Sequence, residues 1–322
     1  MSFRSDPAQI RGSITATLTP FEDDGSVDHE SLRSLVRWQI DQGSHGVSIG
    51  GSTGEPSSQT VAERIAAMAT VANEVAGEVP FLAGTGTAKL DETLELTAAA
   101  QELGADLALV ITPYYARPTQ AALYEWYATI CREFPDLPVV SYNVPSRTAV
   151  EIAPETVGAL RRDLPNFVGI KETTKDFEHF SRVLHLCGRD FLVWSGIELL
   201  CLPLLALGGA GFITALANVA PGPSAEMFDL WDKGEHSAAL DLHYALHPLV
   251  DLLFVETNPA PAKHVLETWG RISSARVRPP LLGATTSAVQ RIDQLLDDAS
   301  SVLDPTTGAP RWSGAPEGSS HD

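Results

Sequence analysis

Residues 138–171 read PVVSYNVPSRTAVEIAPETVGALRRDLPNFVGIK, and this stretch decides the fold. It opens on an apolar, β-branched run at 138–142. A turn rich in proline and serine follows, then a helical pattern over 154–162 in which Pro154 suits the first turn. It closes on a second apolar run at 167–171. Strand, helix and strand in so short a span make one βαβ unit, and strands joined in this way run parallel.

The same alternation extends in both directions. Further strands are expected at 14–18, 46–49, 80–83, 107–111, 191–194 and 211–213. Amphipathic helices are expected at 29–42, 61–76, 90–103, 120–134, 177–186 and 197–207. In the first of these, Leu32, Leu35, Val36 and Ile40 fall at helical spacing, and Asp28 and Thr119 read as N-caps. Eight strand–helix units at regular intervals favour an α/β fold of the closed (β/α)8 type, a TIM barrel, over a doubly wound sheet. Residues from about Gly222 onward read as the eighth barrel helix and then a C-terminal helical extension, with helices near 237–254, 260–269 and 286–300. The division is an N-terminal tail (1–10), the barrel (11–233), the extension (234–303) and a flexible tail (304–322) rich in Pro, Gly and Ser.

Composition narrows the function classes. Of 322 residues, 22 are Lys or Arg and 41 are Asp or Glu, a formal net charge of −19. Such a surface repels nucleic acid and anionic membranes. The hydrophobic fraction, 44%, is enough for a large core. Cys131, Cys187 and Cys201 form no CxxC pair, as expected of reduced thiols in a cytoplasmic protein. The first residues, MSFRSDPAQIRGS, hold no apolar core of signal-peptide length, and no run has the length of a membrane span.

Barrel chemistry sits at the C-terminal ends of the strands. There the sequence gathers Ser52, Thr53, Tyr115, Tyr142, Arg147, Lys171, Gly196, Glu198 and Ile213. Of the five lysines, only Lys171 closes an apolar strand. Burying an amine disfavours its ammonium form, and a free amine attacks a ketone to give an imine that acts as an electron sink. Taken alone, the position better suits a lysine that snorkels to solvent or pairs with Glu172. Tyr142 ends the preceding strand, where a phenol could relay protons through Ser52, Thr53 and Tyr115, or simply fill the core. Gly51 and Gly54 free backbone N–H groups to meet a carboxylate, or make an ordinary turn. Arg147 suits a bidentate grip on a second carboxylate, and equally the surface.

Taken together, the motifs TPF at 19–21, GGSTGE at 50–55, AGTGT at 83–87, TPYY at 112–115, YNVPSRT at 142–148 and GIKET at 169–173 resemble the dihydrodipicolinate synthase/N-acetylneuraminate lyase family. ALANV at 215–219 and ETNPAPAK at 256–263 continue the resemblance. It implies a barrel with a helical extension, assembled as a homotetramer (a dimer of dimers). It implies a lyase without cofactor or metal, in which Lys171 forms an imine with pyruvate or another small 2-oxo acid and Tyr142 is the acid/base. It further implies that Ser52 and Thr53 bind the carboxylate and relay protons, and that Tyr115 completes the relay from a neighbouring subunit. By the same resemblance Arg147 holds the carboxylate of an aldehyde substrate, aspartate semialdehyde. The backbone carbonyl of Ile213 faces the site, and Gly196 and Glu198 stand at positions that contact the second substrate. Ser52 replaces the threonine usual in synthases, and Ser195-Gly196-Ile197-Glu198 replaces SGDD, which leaves a catabolic 2-oxo acid aldolase or dehydratase as the alternative. Glu198 followed by Leu199 argues against a polyhydroxylated sugar acid. Val61, Arg64 and Ala88 stand where lysine-inhibited relatives carry histidines and an asparagine, so no feedback by lysine is expected.

Three other motifs compete. Residues 50–54, GGSTG, also fit the G-x-S-x-G elbow of serine hydrolases, with His243, His247 or His264 as the base. His243 and His247 are spaced as in helical metal pairs, but without HExxH. Residues 84–86, GTG, lack the third glycine of a dinucleotide fingerprint.

Overall fold

A computed structural model describes residues 6–311. Eight strands form the sheet: β1 (Gly12–Ala16), β2 (Gly46–Ile49), β3 (Phe81–Gly84), β4 (Leu107–Ile111), β5 (Val139–Asn143), β6 (Phe167–Glu172), β7 (Leu192–Ser195) and β8 (Gly211–Thr214). They close into a barrel in sequence order, every neighbour parallel, with β8 returning to β1. At the seam Gly12 pairs with Gly211, and a Cβ on Gly211 would fall 2.1 Å from the Gly12 carbonyl oxygen. Only glycine lets the barrel shut there.

Most expected elements lie within one or two residues of those observed, with three instructive departures. β1 runs earlier than 14–18 because the Leu18 N–H bonds the Asn218 side chain and leaves the ladder. The helix expected at 197–207 is a 3₁₀ turn, Glu198–Leu200, followed by a short helix, Cys201–Ala206. Ile197 is extended, and the Ser195 hydroxyl takes both its N–H and its carbonyl. The helix expected at 237–254 is two, His236–Ala245 and His247–Leu253, because Pro248 has no N–H to continue the first.

The caps are as read: Asp28 accepts from Ser31 N and Thr119 from Ala122 N. The extension shares a hydrophobic cluster with the barrel, in which Leu246, Leu249 and Val265 join Leu18, Leu35 and Phe212. No helix among the described residues is long and apolar enough to cross a membrane. The three cysteines are buried and free.

Both ends differ from the expected tails. Ile10 is 1% exposed and plugs the barrel interior. Residues 304–311, expected to be flexible, fold back on the extension: Leu303 bridges Pro310, and Trp269 Nε1 donates to the Pro305 carbonyl at 3.0 Å. The apolar Trp269 face supplies the anchor that composition does not reveal. The remaining tail segments, 1–5 and 312–322, lie outside the described residues.

Candidate active site

Register builds the centre of the site. Tyr142 on β5 pairs with Lys171 on β6, which pairs with Trp194 on β7. Side chains alternate across a strand, so the two paired residues point the same way. Lys171 and Tyr142 are each only 5% exposed, and Lys171 Nζ sits 4.4 Å from the Tyr142 ring centroid. Lys171 does not pair with Glu172, whose carboxylate faces the helix layer. Gly196 makes room for the amine: a Cβ there would lie 2.8 Å from Lys171 Cε and 2.5 Å from Thr173 Oγ1.

The loop after β2 supplies hydroxyls. Ser52 starts a 3₁₀ turn, and its Oγ lies 3.3 Å from Tyr142 Oη. A serine-hydrolase elbow would need a histidine on Ser52; the hydroxyl meets a phenol instead. Thr53 is buried, and its Oγ1 accepts from Asn258 Nδ2 at 3.1 Å. The bond spends an acceptor position and leaves the Thr53 hydroxyl proton free to donate.

Ser52 and Tyr142 line a cavity of about 260 Å³, together with Arg147, Arg64 and Tyr114. Arg147 is exposed on the short helix Pro145–Thr148, at the cavity edge. Arg64 is buried, donates to the carbonyls of Gly84 and Gly86, and burial pulls its pKa down to about 10. Those bonds occupy the backbone of the GTG turn.

Glu198 is buried and accepts from Ala215 N at 3.0 Å. Burial pushes its carboxyl above the ordinary range, against backbone hydrogen bonds and the charge of Lys171. Ile213 is fully buried in the barrel interior, in register with Ile14.

One expected residue is not brought to its companions within the chain. Tyr115 is 94% exposed and holds a left-handed φ of 73°. That conformation costs a non-glycine residue about 1–2 kcal/mol.

Sequence reasoning missed the supports behind the site. Glu55, at the end of GGSTGE, pairs with Lys263 at 2.6 Å, and both side chains are buried. Arg278 donates its backbone N–H to Glu55 and its guanidinium to Glu63. Lys263 and Arg278 both lie over the Phe21 ring. The extension thus clamps the Ser52–Thr53 loop from outside the barrel. A second network lies one residue beyond the central pair. The fully buried Glu172 accepts from Asn143 Nδ2 and from the N–H groups of Thr173 and Thr174, and it meets His179. The carboxylate and amide in YNVPSRT and GIKET were visible; their outward direction was the unused signal.

The His243–His247 pair does form, with Nε2 atoms 3.4 Å apart, but among the described residues no three His, Cys, Asp or Glu side chains could hold a metal.

Comparison with known proteins places the sequence and the barrel among relatives. The profile of the dihydrodipicolinate synthetase family matches residues 9–299. The 4-hydroxy-tetrahydrodipicolinate synthase of Thermus thermophilus is 48% identical over 281 residues, covering 87% of this chain and 93% of that one. The synthase of the same name from Nitratidesulfovibrio vulgaris is 40% identical over 294 residues, covering 91% of this chain and 100% of its own. Among solved structures, the dihydrodipicolinate synthase of Thermotoga maritima superposes with a TM-score of 0.87 at 38% identity, covering 91% of this chain and 99% of that chain. The chloride-inhibited dihydrodipicolinate synthase from Acinetobacter baumannii, complexed with pyruvate, gives 0.86 at 36% identity, covering 90% and 99%. The chain belongs to the dihydrodipicolinate synthetase family.

Proposed function

We propose that this chain condenses pyruvate with aspartate semialdehyde through a lysine imine, as a 4-hydroxy-tetrahydrodipicolinate synthase does. The observation that carries the reading is the cross-strand pair Tyr142–Lys171 with Ser52 on the phenol. Lys171 Nζ attacks the pyruvate keto carbon. Tyr142 Oη gives a proton to the carbinolamine oxygen, which leaves as water, and Ser52 returns a proton to the phenol. Loss of a C3 proton from the protonated imine gives the enamine, whose C3 forms the new bond to the aldehyde carbon while the aldehyde oxygen takes up a proton and the nitrogen returns to the iminium. The lysine nitrogen itself holds the electron pair, so the proposal includes no cofactor or metal. The N–H groups of the Ser52–Thr53 turn and the free Thr53 hydroxyl proton suit the pyruvate carboxylate. Arg147, at the cavity edge, suits the carboxylate of the aldehyde.

Tyr115 enters as a contribution to a second copy. Its exposure and strained backbone are those of a residue ordered by a partner, in line with the tetramer that the motifs imply.

The test is substrate choice. With pyruvate fixed, aspartate semialdehyde is expected to react well, and aldehydes lacking the carboxylate poorly. Arg147→Ala should raise the KM for the semialdehyde by about tenfold or more while leaving that for pyruvate near its starting value. Equal rates with and without the aldehyde's carboxylate would favour a catabolic aldolase instead.

A further inference from the structure

The two strands that carry Tyr142 and Lys171 also pair their next residues, Asn143 with Glu172. Alternation turns these outward, away from the cavity and toward the helix Phe177–Cys187. There His179, 5% exposed, places Nε2 2.9 Å from a Glu172 carboxylate oxygen. The approach lies off the N–H direction, so it is an ion-pair contact rather than a linear hydrogen bond. The other ring nitrogen, Nδ1, lies 3.5 Å from Glu151 Oε1. Glu151 belongs to the segment after β5, the same segment that carries Arg147. Three further bonds seat that segment: Asn143 Oδ1 accepts from Ile152 N, Gln120 Nε2 donates to Glu151 O, and Gln120 Oε1 accepts from Ala153 N.

We propose that His179, as an imidazolium bridging Glu172 and Glu151, is a positioning residue that ties the Arg147-bearing segment to the Lys171 strand and thereby sets affinity for the aldehyde's carboxylate. This rests on the reading of Arg147 given above. A neutral imidazole carries no charge to hold either carboxylate. The imidazolium attracts both, and each ring nitrogen already lies within ion-pair distance of an acid.

The charged groups around the ring favour the bridge. Glu172 faces it from β6, Glu151 from the segment after β5, and Asp176 from the cap of its own helix. Burial alone would push His179 toward neutrality; the Glu172 contact and the charges of Glu172, Glu151 and Asp176 outweigh it and raise the pKa above the ordinary histidine value. The bridge is therefore complete at lower pH and opens as pH rises through that raised value.

The test measures KM for both substrates across pH 6 to 9 in the full-length protein, with borohydride trapping of pyruvate alongside. The wild type should show a rise in the aldehyde KM of about fivefold as pH climbs, with the pyruvate KM flat. His179→Gln should abolish the step and hold the aldehyde KM at its high-pH value. Glu151→Gln, a surface change that folding tolerates, should shrink the step and move it to lower pH. If either variant keeps the wild-type step, or if the pyruvate and aldehyde KM values move together, the proposal is overturned. Failure of pyruvate to trap on wild-type Lys171 is a separate result, which overturns the underlying reading of the site.

Discussion

Two buried lysines divide the molecule into a working region and a supporting one. Lys263 is 0% exposed and fully engaged: Glu55 at 2.6 Å, the Arg276 carbonyl at 2.8 Å and the Phe21 ring beneath it. Lys171 is almost as buried, yet among the described residues no carboxylate lies within ion-pair distance of its Nζ. Its neighbour is the Tyr142 ring. Burial pulls the Lys263 pKa down to about 8, with the paired Glu55 opposing the shift. A lysine locked into such a pair serves the fold. A lysine held beside a phenol, with no carboxylate claiming it, is the one that the proposed reaction assigns to the substrate.

The contrast can be broken from either side. Lys171→Met should cost a factor on the order of 10³ or more in kcat/KM and leave thermal stability unchanged or improved. Lys263→Met strands Glu55 in the interior and should cost about 3–5 kcal/mol in denaturant unfolding. Pairing it with Glu55→Gln should recover part of that loss, and the folded fraction should still trap pyruvate. Tyr142→Phe keeps the ring beneath the amine and removes only the relay; kcat should fall about 100-fold while the final yield of trapped imine is preserved. Asn258→Ala frees Thr53 Oγ1 and should raise the pyruvate KM by about fivefold, with a smaller change in kcat. If Asn258→Ala moved kcat alone, the hydroxyl would belong to the relay rather than to carboxylate binding.

Acid should loosen the supporting region. The Arg278 guanidinium, bonded to Glu63, holds that carboxyl near 2, below its ordinary 4.5. A depressed carboxylate pKa contributes stability above the unfolded value, lost as pH falls through the folded one. The clamp should therefore weaken between about pH 4.5 and 2, and Glu63→Gln should flatten that part of the stability profile.

Sequence made the barrel and its central pair legible because both depend on local rules. β5 and β6 are apolar runs bounded by turn residues, and parallel pairing of neighbouring strands sets Tyr142 beside Lys171. The supports were not legible because they are long-range. Asn258 meets Thr53 and Arg278 meets Glu63 more than 200 residues apart in the chain, and no periodicity links such positions. His179 fell within a correctly placed helix, but as one polar residue near its start it carried no pattern of its own. Tyr115 was read from its motif, and within this chain it is exposed and apart from the other site residues.

The most direct measurement is to incubate the protein with pyruvate, reduce with borohydride, and locate the mass increment by peptide mapping. One adduct is expected, on Lys171, with Lys263 unmodified. An unmodified Lys171 in the folded protein, or an adduct on Lys263 instead, would contradict it.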